Sequence, residues 1–286
     1  MPQRICASDS DYPAALRDLQ DVPDPVFVEG ALPQLERAVA IVGTRRADGA
    51  GTRFTRQLAA ELARADCTIV SGGAHGIDTA AHEGALDVGG ATVAVLPGRV
   101  DAPYPARNRE LFALIARTGA LLAEHEFDTR RYASVFLARN RLIAALARLV
   151  VVVQAPVKSG AMSTAAHARA MGRPVLAVPW APWEARGAGC LHLLGQGAQV
   201  CRSSDDVLAL IAPACAPARR PPREQAHLDG DQRAVYDALA GGALSADELC
   251  EQTGMPAAVT QRALLLLLLA GEIQELTPGR YAAQPR

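Results

Sequence analysis

The stretch AVAIVGTRRADGAG, residues 38–51, decides the fold. An apolar run from Ala38 to Val42 stops at Gly43. Thr44, Arg45 and Arg46 follow, then Gly49 and Gly51. The next residues, TRFTRQLAAELARA (52–65), carry apolar side chains at helical spacing. A strand, a glycine turn and a helix N-terminus form a common phosphate cradle, because free amides and the helix dipole both favour an anion. The dinucleotide fingerprint G-x-G-x-x-G has no arginine in that turn, whereas this turn has two. The expectation is a ligand whose phosphates are met by guanidinium groups.

Working outward, short apolar runs recur at 67–71, 91–96, 119–123, 149–155 and 174–179. Between them, 77–87, 106–117, 135–147 and 162–171 have helical spacing. Alternation of near-continuous apolar strands with helices predicts an α/β fold, a parallel sheet covered on both faces. Ligands of such sheets sit beyond the carboxyl ends of the strands. Residues 1–37 read as a lead-in segment and 38–211 as a Rossmann-like domain.

The stretch APACAPARRPPREQ (212–225) is rich in Pro, Ala and Arg and reads as a linker. Beyond it, helical patterns at 231–240, 245–252 and 256–270 precede a hairpin pattern, GEIQELTPGRYAA. Ser245 and Glu248 have capping-box spacing. Three helices and a β-wing over 226–286 predict a winged helix. This segment holds eight acidic and four basic residues, a net −4, which leaves +3 for residues 1–225 of a chain at −1. Its third helix has one arginine, whereas a duplex reader places basic residues there. The tail therefore reads as a protein-binding rather than a DNA-binding element.

Length and composition agree with two domains: 286 residues, half of them hydrophobic. The longest leucine run, Leu264–Leu269, is too short for a bilayer, and the N-terminus lacks a signal-peptide core. A cytoplasmic protein with no membrane partner is expected. The six cysteines form no C-x-x-C pair, which argues against structural zinc. Lys158 is the only lysine beside 28 arginines. It marks either chance at an exposed position or a site that needs an ammonium.

Four constellations could carry chemistry. In SGGAHGIDTAAHEGAL (71–86) a glycine turn offers free amides to an anion. His75, Asp78 and His82 there read either as a metal set or as turn and packing residues, and their spacing is not H-E-x-x-H. Ser71 lacks the G-x-S-x-G setting of a nucleophile. In PGRVDAPYPARNRELF (97–112), Arg107 and Arg109 open a helix against its dipole. Either an anion binds there or the arginines are simply solvated. In SVFLARNRLIAAL (134–146), Phe136, Arg139 and Asn140 share a face beside Arg141. The ring either stacks a base or belongs to the core. In VKSGAMSTAAHARAMGR (157–173), Lys158, Ser159 and Gly160 precede a helix, a phosphate site without a Walker A pattern. So many cations on one sheet edge suit a row of separated phosphates, a nucleic acid strand. No acidic pair or nucleophile accompanies them, so a non-catalytic binder without a cofactor or metal is expected.

The motifs IVGTRR, SGGAHGIDTAAHEGAL, GGATVAVLPGRVDAPYPARNREL, FLARNRLIAALA and SGAMSTAAHARAMGRPVLAVP resemble the DNA-processing protein A family (DprA, also called Smf) over about residues 11–210. The resemblance implies an extended Rossmann-like fold that binds single-stranded DNA without sequence preference. It also implies a homodimer and delivery of the strand to the RecA recombinase in natural transformation (competence), alongside single-stranded DNA-binding protein. Carried over by motif, Gly43, Arg45 and Arg46 belong to the turn, with Arg45 a DNA phosphate ligand. Arg107 and Arg109 fall in the basic loop after YP. Phe136, Arg139, Asn140 and Arg141 form F-x-x-R-N-R, and Lys158 and Ser159 complete the set. The chain departs from the family at Trp180 after VP and at GAGCLHLL. The family's optional N-terminal helical domain is expected to be missing. The helix 162–171 and the strand 174–179, taken to lie near the sheet edge, are the dimer candidates.

A second reading is a Rossmann-like enzyme acting on small nucleotides. Its P-G-G-x-G-T-x-x-E signature is not matched by SGGAHGIDTAAHE. An NAD oxidoreductase would need an acidic residue after the second strand, where Ser71 and Gly72 stand.

Overall fold

The computed structural model describes residues 2–126, 133–211, 228–239, 242–269, 272–277 and 279–283. They fall into two units, Met1–Cys215 and Ala216–Arg286. In the first, the strands are β1 (Gln3–Ile5), β2 (Val26–Gly30), β3 (Val39–Val42), β4 (Ile69–Ser71), β5 (Thr92–Leu96), β6 (Ala120–Ala123), β7 (Leu149–Val152), β8 (Val175–Ala177) and β9 (Gln199–Val200). The helices between them are α1 (Gly49–Arg64), α2 (Ile77–Leu86), α3 (Arg109–Thr118), α4 (Ala133–Leu146), α5 (Gly160–Ala170), α6 (Ala188–Gly195) and α7 (Ser204–Ile211). The sheet order is β1-β2-β6-β5-β4-β3-β7-β8-β9.

The opening apolar run is explained by its two faces. Val39 and Ile41 pack with Leu58 and Leu62 of α1 and Ile77 of α2. Ala40 and Val42 pack on the opposite side with Leu142, Ile143 and Leu146 of α4 and Ala165 of α5. Every residue of β3 is buried, so the two-residue period of a strand shows as an unbroken apolar string. Burying a side chain the size of Val or Ile this fully is worth about 1.5–3 kcal/mol. β7 repeats the pattern and pairs with β3 in parallel, Val39 with Leu149 through Val42 with Val152.

The six strands expected from the sequence are present as β3 to β8 and run parallel. Three others were not legible. The lead-in is part of the sheet, with β1 antiparallel to β2 and β2 antiparallel to β6. β9 covers the far side of β8. β8, the strand at 174–179, lies one strand in from this edge, between β7 and the two-residue β9.

In the second unit, α8 (Gly230–Ala238), β10 (Leu244–Ser245), α9 (Ala246–Thr253), α10 (Ala257–Leu269), β11 (Ile273–Thr277) and β12 (Arg280–Ala283) form a winged helix with sheet order β10-β12-β11. Its core gathers Val235, Leu239, Leu249, Leu264, Leu267 and Ile273. The Ser245–Glu248 capping box is present on α9. Asp229 and Gln232 make another on α8. The expected linker, 212–225, lies outside the described residues. No helix among the described residues is long and apolar enough to cross a membrane.

Candidate nucleic-acid interface

The loops beyond the carboxyl ends of β3, β4, β5 and β7, together with α4 and the start of α5, enclose a cavity of about 750 Å³. Gly43, Thr44, Arg45 and Arg46 form one wall. Tyr104, Phe136 and Leu137 form another, and Asp78, Arg139 and Asn140 line it with Ser159 and Gly160.

Its mouth is aromatic and cationic. Arg45 is exposed, and its Cζ lies 5.3 Å from the centroid of the Phe136 ring. Tyr104 meets the same ring edge-on, with centroids 6.0 Å apart and planes at 74°. Phe136 is half-buried and Tyr104 exposed. Phe136 is therefore not among the buried core residues. A guanidinium on a ring face is attracted by the ring quadrupole. The tyrosine loop is anchored from behind: Asn108 donates from Nδ2 to the Gly73 carbonyl (3.0 Å) and to Thr79 Oγ1 (2.9 Å).

Beneath the mouth lie two buried charged groups, Arg139 and Asp78. Arg139, expected to meet phosphate, is only 6% exposed. Its Nη1 donates to the carbonyls of Gly72 (2.7 Å) and Val95. Asp78 faces it, and accepts from the Ala74 amide at 3.3 Å. Burial pushes the Asp78 carboxyl up to about 6, against the pull of Arg139. Burial likewise holds Arg139 down at about 10. Gly72 makes room for both groups, while Gly73 has φ +67° and lies against Phe112. A Cβ on Gly72 would lie 2.7 Å from the Arg139 guanidinium and 2.8 Å from Asp78 Oδ2. Ser71 is buried, and its hydroxyl donates to the Ile41 carbonyl at 2.6 Å.

His82 settles the packing reading of its motif. Its Nδ1 bonds Thr92 Oγ1 at 2.8 Å, while that hydroxyl donates to the Ile69 carbonyl. Nδ1 is thus the donor. Burial, then the charge of Arg139, lower the His82 imidazole to about 3, so it is neutral. Among the described residues no trio of His, Cys, Asp or Glu is arranged to hold a metal.

The two helix N-termini behave differently from each other. The one that the opening stretch suggested, at α1, is filled by the protein's own anion. Asp48 Oδ1 accepts from the Gly51 amide (2.8 Å) and Oδ2 from Gln154 Nε2 (2.8 Å). These contacts, the Gly51 bond foremost, hold its carboxyl below the usual range. Gly43 likewise serves packing, since a Cβ there would lie 2.5 Å from Ile77 Cγ1 and 2.8 Å from the Gln154 carbonyl. By contrast, Ser159 stands at the N-cap of α5 with no side-chain cap bond, and both it and Gly160 line the cavity. Asn140 steadies this end, donating to the Gly160 carbonyl at 3.0 Å.

The remaining predicted residues are not gathered into the cavity wall. Arg107 and Arg109 are exposed at the entry to α3, and Lys158 is exposed on the loop before α5. Arg141 is turned away to Glu124 at 2.6 Å, with its side chain 14% exposed. Sequence reasoning missed Tyr104 as a site residue, although its place in PGRVDAPYPARNR beside two arginines was the available signal.

A family model described as DNA recombination-mediator protein A matches residues 3–212. This chain belongs to that family, abbreviated DprA. A DprA winged helix domain model matches residues 219–279. The putative DNA processing protein DprA of Mycobacterium tuberculosis is 45% identical over 249 residues, which is 86% of this chain and 64% of that protein. Protein Smf of Synechocystis is 39% identical over 240 residues, 82% of this chain and 60% of that one. The chain thus spans under two thirds of either DprA-family relative. Among solved structures, DprA of Streptococcus pneumoniae superposes with a TM-score of 0.69 at 36% identity, covering 73% of this chain and 74% of that one. DprA of Helicobacter pylori, solved for its single-stranded DNA binding mode, gives 0.65 at 35%, covering 73% and 96%.

Proposed function

We propose that this protein binds single-stranded DNA without sequence preference at the carboxyl edge of its large sheet and delivers the strand to the RecA recombinase in natural transformation. It works in the cytoplasm as a homodimer, with single-stranded DNA-binding protein as a further partner. The observation that carries the reading is the Arg45–Phe136–Tyr104 cluster at the cavity mouth. Unpaired bases offer a free face to an aromatic ring, and a guanidinium beside it neutralises the backbone. The single-strand binding described for the Helicobacter pylori relative supports this choice of ligand. Arg45, Arg46, Phe136, Tyr104, Ser159 and Lys158 are the contact residues in this reading, with Arg107 and Arg109 on the same edge.

The cavity's chemistry supports binding rather than turnover. Its lining carboxylate, Asp78, is buried and accepts from the Ala74 amide. The deciding experiment is a gel shift with single- and double-stranded DNA of equal length, with and without Mg²⁺. The expected result is strong preference for the single strand, the same for any sequence, with the DNA intact. Equal affinity for a blunt duplex would remove the single-strand reading, and metal-dependent shortening would remove the non-enzymatic one.

A further inference from the structure

The cavity accounts for one aromatic platform, but the same sheet edge carries another. Trp183 is 87% exposed. Isolated exposed apolar side chains are ordinary, so its position has to carry the argument. It lies on the loop that follows β8, and β8 is next to β7, which is next to β3. Because these strands are parallel, the loops after them stand in a row: Arg45 and Arg46, then Lys158, then Trp183 and Arg186. That loop is tied down on both sides of the indole. Before it, Trp180 Nε1 donates to the Val153 carbonyl at 2.6 Å. After it, Arg186 Nη1 lies 3.7 Å from Asp48 Oδ2, the cap of α1, and the Gly189 amide donates to the Ala155 carbonyl at 2.7 Å. The exposed ring is thus displayed by an anchored loop. Arg46 at the cavity wall, Lys158 on the loop after β7 and Arg186 on the loop of Trp183 itself are exposed.

We propose that Trp183 is a second base-stacking platform for the single strand, entered after the bases held at Phe136, with Arg46, Lys158 and Arg186 meeting the intervening phosphates. This deepens the single-strand reading and rests on it. A ring and a basic track are the two components that hold an unpaired strand without reading its sequence.

The protein has two tryptophans, Trp180 and Trp183, so fluorescence can test the stacking directly. Full-length protein is titrated with oligothymidylates of increasing length, and emission and affinity are followed together. Quenching is expected in the unmodified protein, and most of it should vanish in Trp183→Phe. Trp183→Ala should weaken long oligothymidylates about 5-fold or more, the low end for one stacked base. It should spare short ones, which reach only the cavity. Phe136→Ala should weaken both. If Trp183→Ala matches the unmodified protein at every length while Phe136→Ala is impaired, the platform is wrong and the single-strand reading stands. If the unmodified protein retains no single strand at all, both fall. If Trp183→Ala instead changes the sedimenting species and quenching persists in Trp183→Phe, the indole belongs to a contact between copies, and the stacking role is overturned.

Discussion

Arg45 holds its guanidinium over the face of Phe136, Cζ 5.3 Å from the ring centroid. The two residues are 91 positions apart: Arg45 stands on the loop after β3 and Phe136 in the first turn of α4. The pair presents one flat apolar surface and one charge side by side, which is what a nucleotide unit presents in return. Phe136→Ala is expected to cost about 1–3 kcal/mol of single-strand affinity. Its melting temperature should change little, since the ring is only half-buried. A melting shift with binding intact would return Phe136 to the core.

Arg45→Ala and Lys158→Ala should weaken every sequence alike, each reducing the slope of log affinity against log salt by about 0.7. Arg141→Ala should leave that slope unchanged, because Arg141 is engaged with Glu124. Salt titrations of the three variants separate the surface cations from the internal one.

Arg139→Ala should act through the fold. It leaves Asp78 buried without its charge partner and removes donors from the Gly72 and Val95 carbonyls. Leaving a buried polar group unsatisfied typically costs about 1–3 kcal/mol. Urea unfolding checks this, and an unchanged midpoint combined with a lower salt slope would make Arg139 a surface ligand after all.

His82 gives stability an acid limit. Its folded value of about 3 lies below the ordinary 6.5, so between these values the unfolded chain takes a proton that the folded chain refuses. Stability from this group is complete above pH 6.5 and declines as pH falls towards 3. Asp78 opposes it over a narrower window, because its carboxyl is raised from 3.8 to about 6 and the folded chain keeps that proton longer on the way up. His82→Asn retains a donor for Thr92 without a titration. Its urea midpoint should therefore fall less than the unmodified protein's between about pH 7 and pH 4.5.

The winged helix should be dispensable for the strand. Residues 226–286 carry a net −4, which repels phosphate, and the cationic edge lies wholly in the first unit. A chain of residues 1–213 is expected to bind single-stranded DNA at near full strength in the gel shift. A large loss with the oligomeric state preserved would assign the tail a DNA role.

The amino-acid sequence by itself determined the parallel core, the winged helix and the edge on which a ligand would sit. Those follow from local signals. A strand buried on both faces must be apolar throughout, as Ala38–Val42 is, and a helix start needs a cap, as Ser245 with Glu248 provides. What the arginines and glycines do was decided only by tertiary structure. Arg45 and Arg139 look alike in sequence, yet one lies exposed on a ring and the other lies buried on Gly72 and Val95. Asp48 read as part of a phosphate turn, yet it fills the α1 N-terminus itself. β1 and β9, of three and two residues, were too short to show a period, and β2 stands apart from the strand–helix alternation, held by antiparallel pairing with β1 and β6. A charge's role depends on which distant carbonyls and carboxylates surround it, and those partners are set by how the loops of one sheet edge meet.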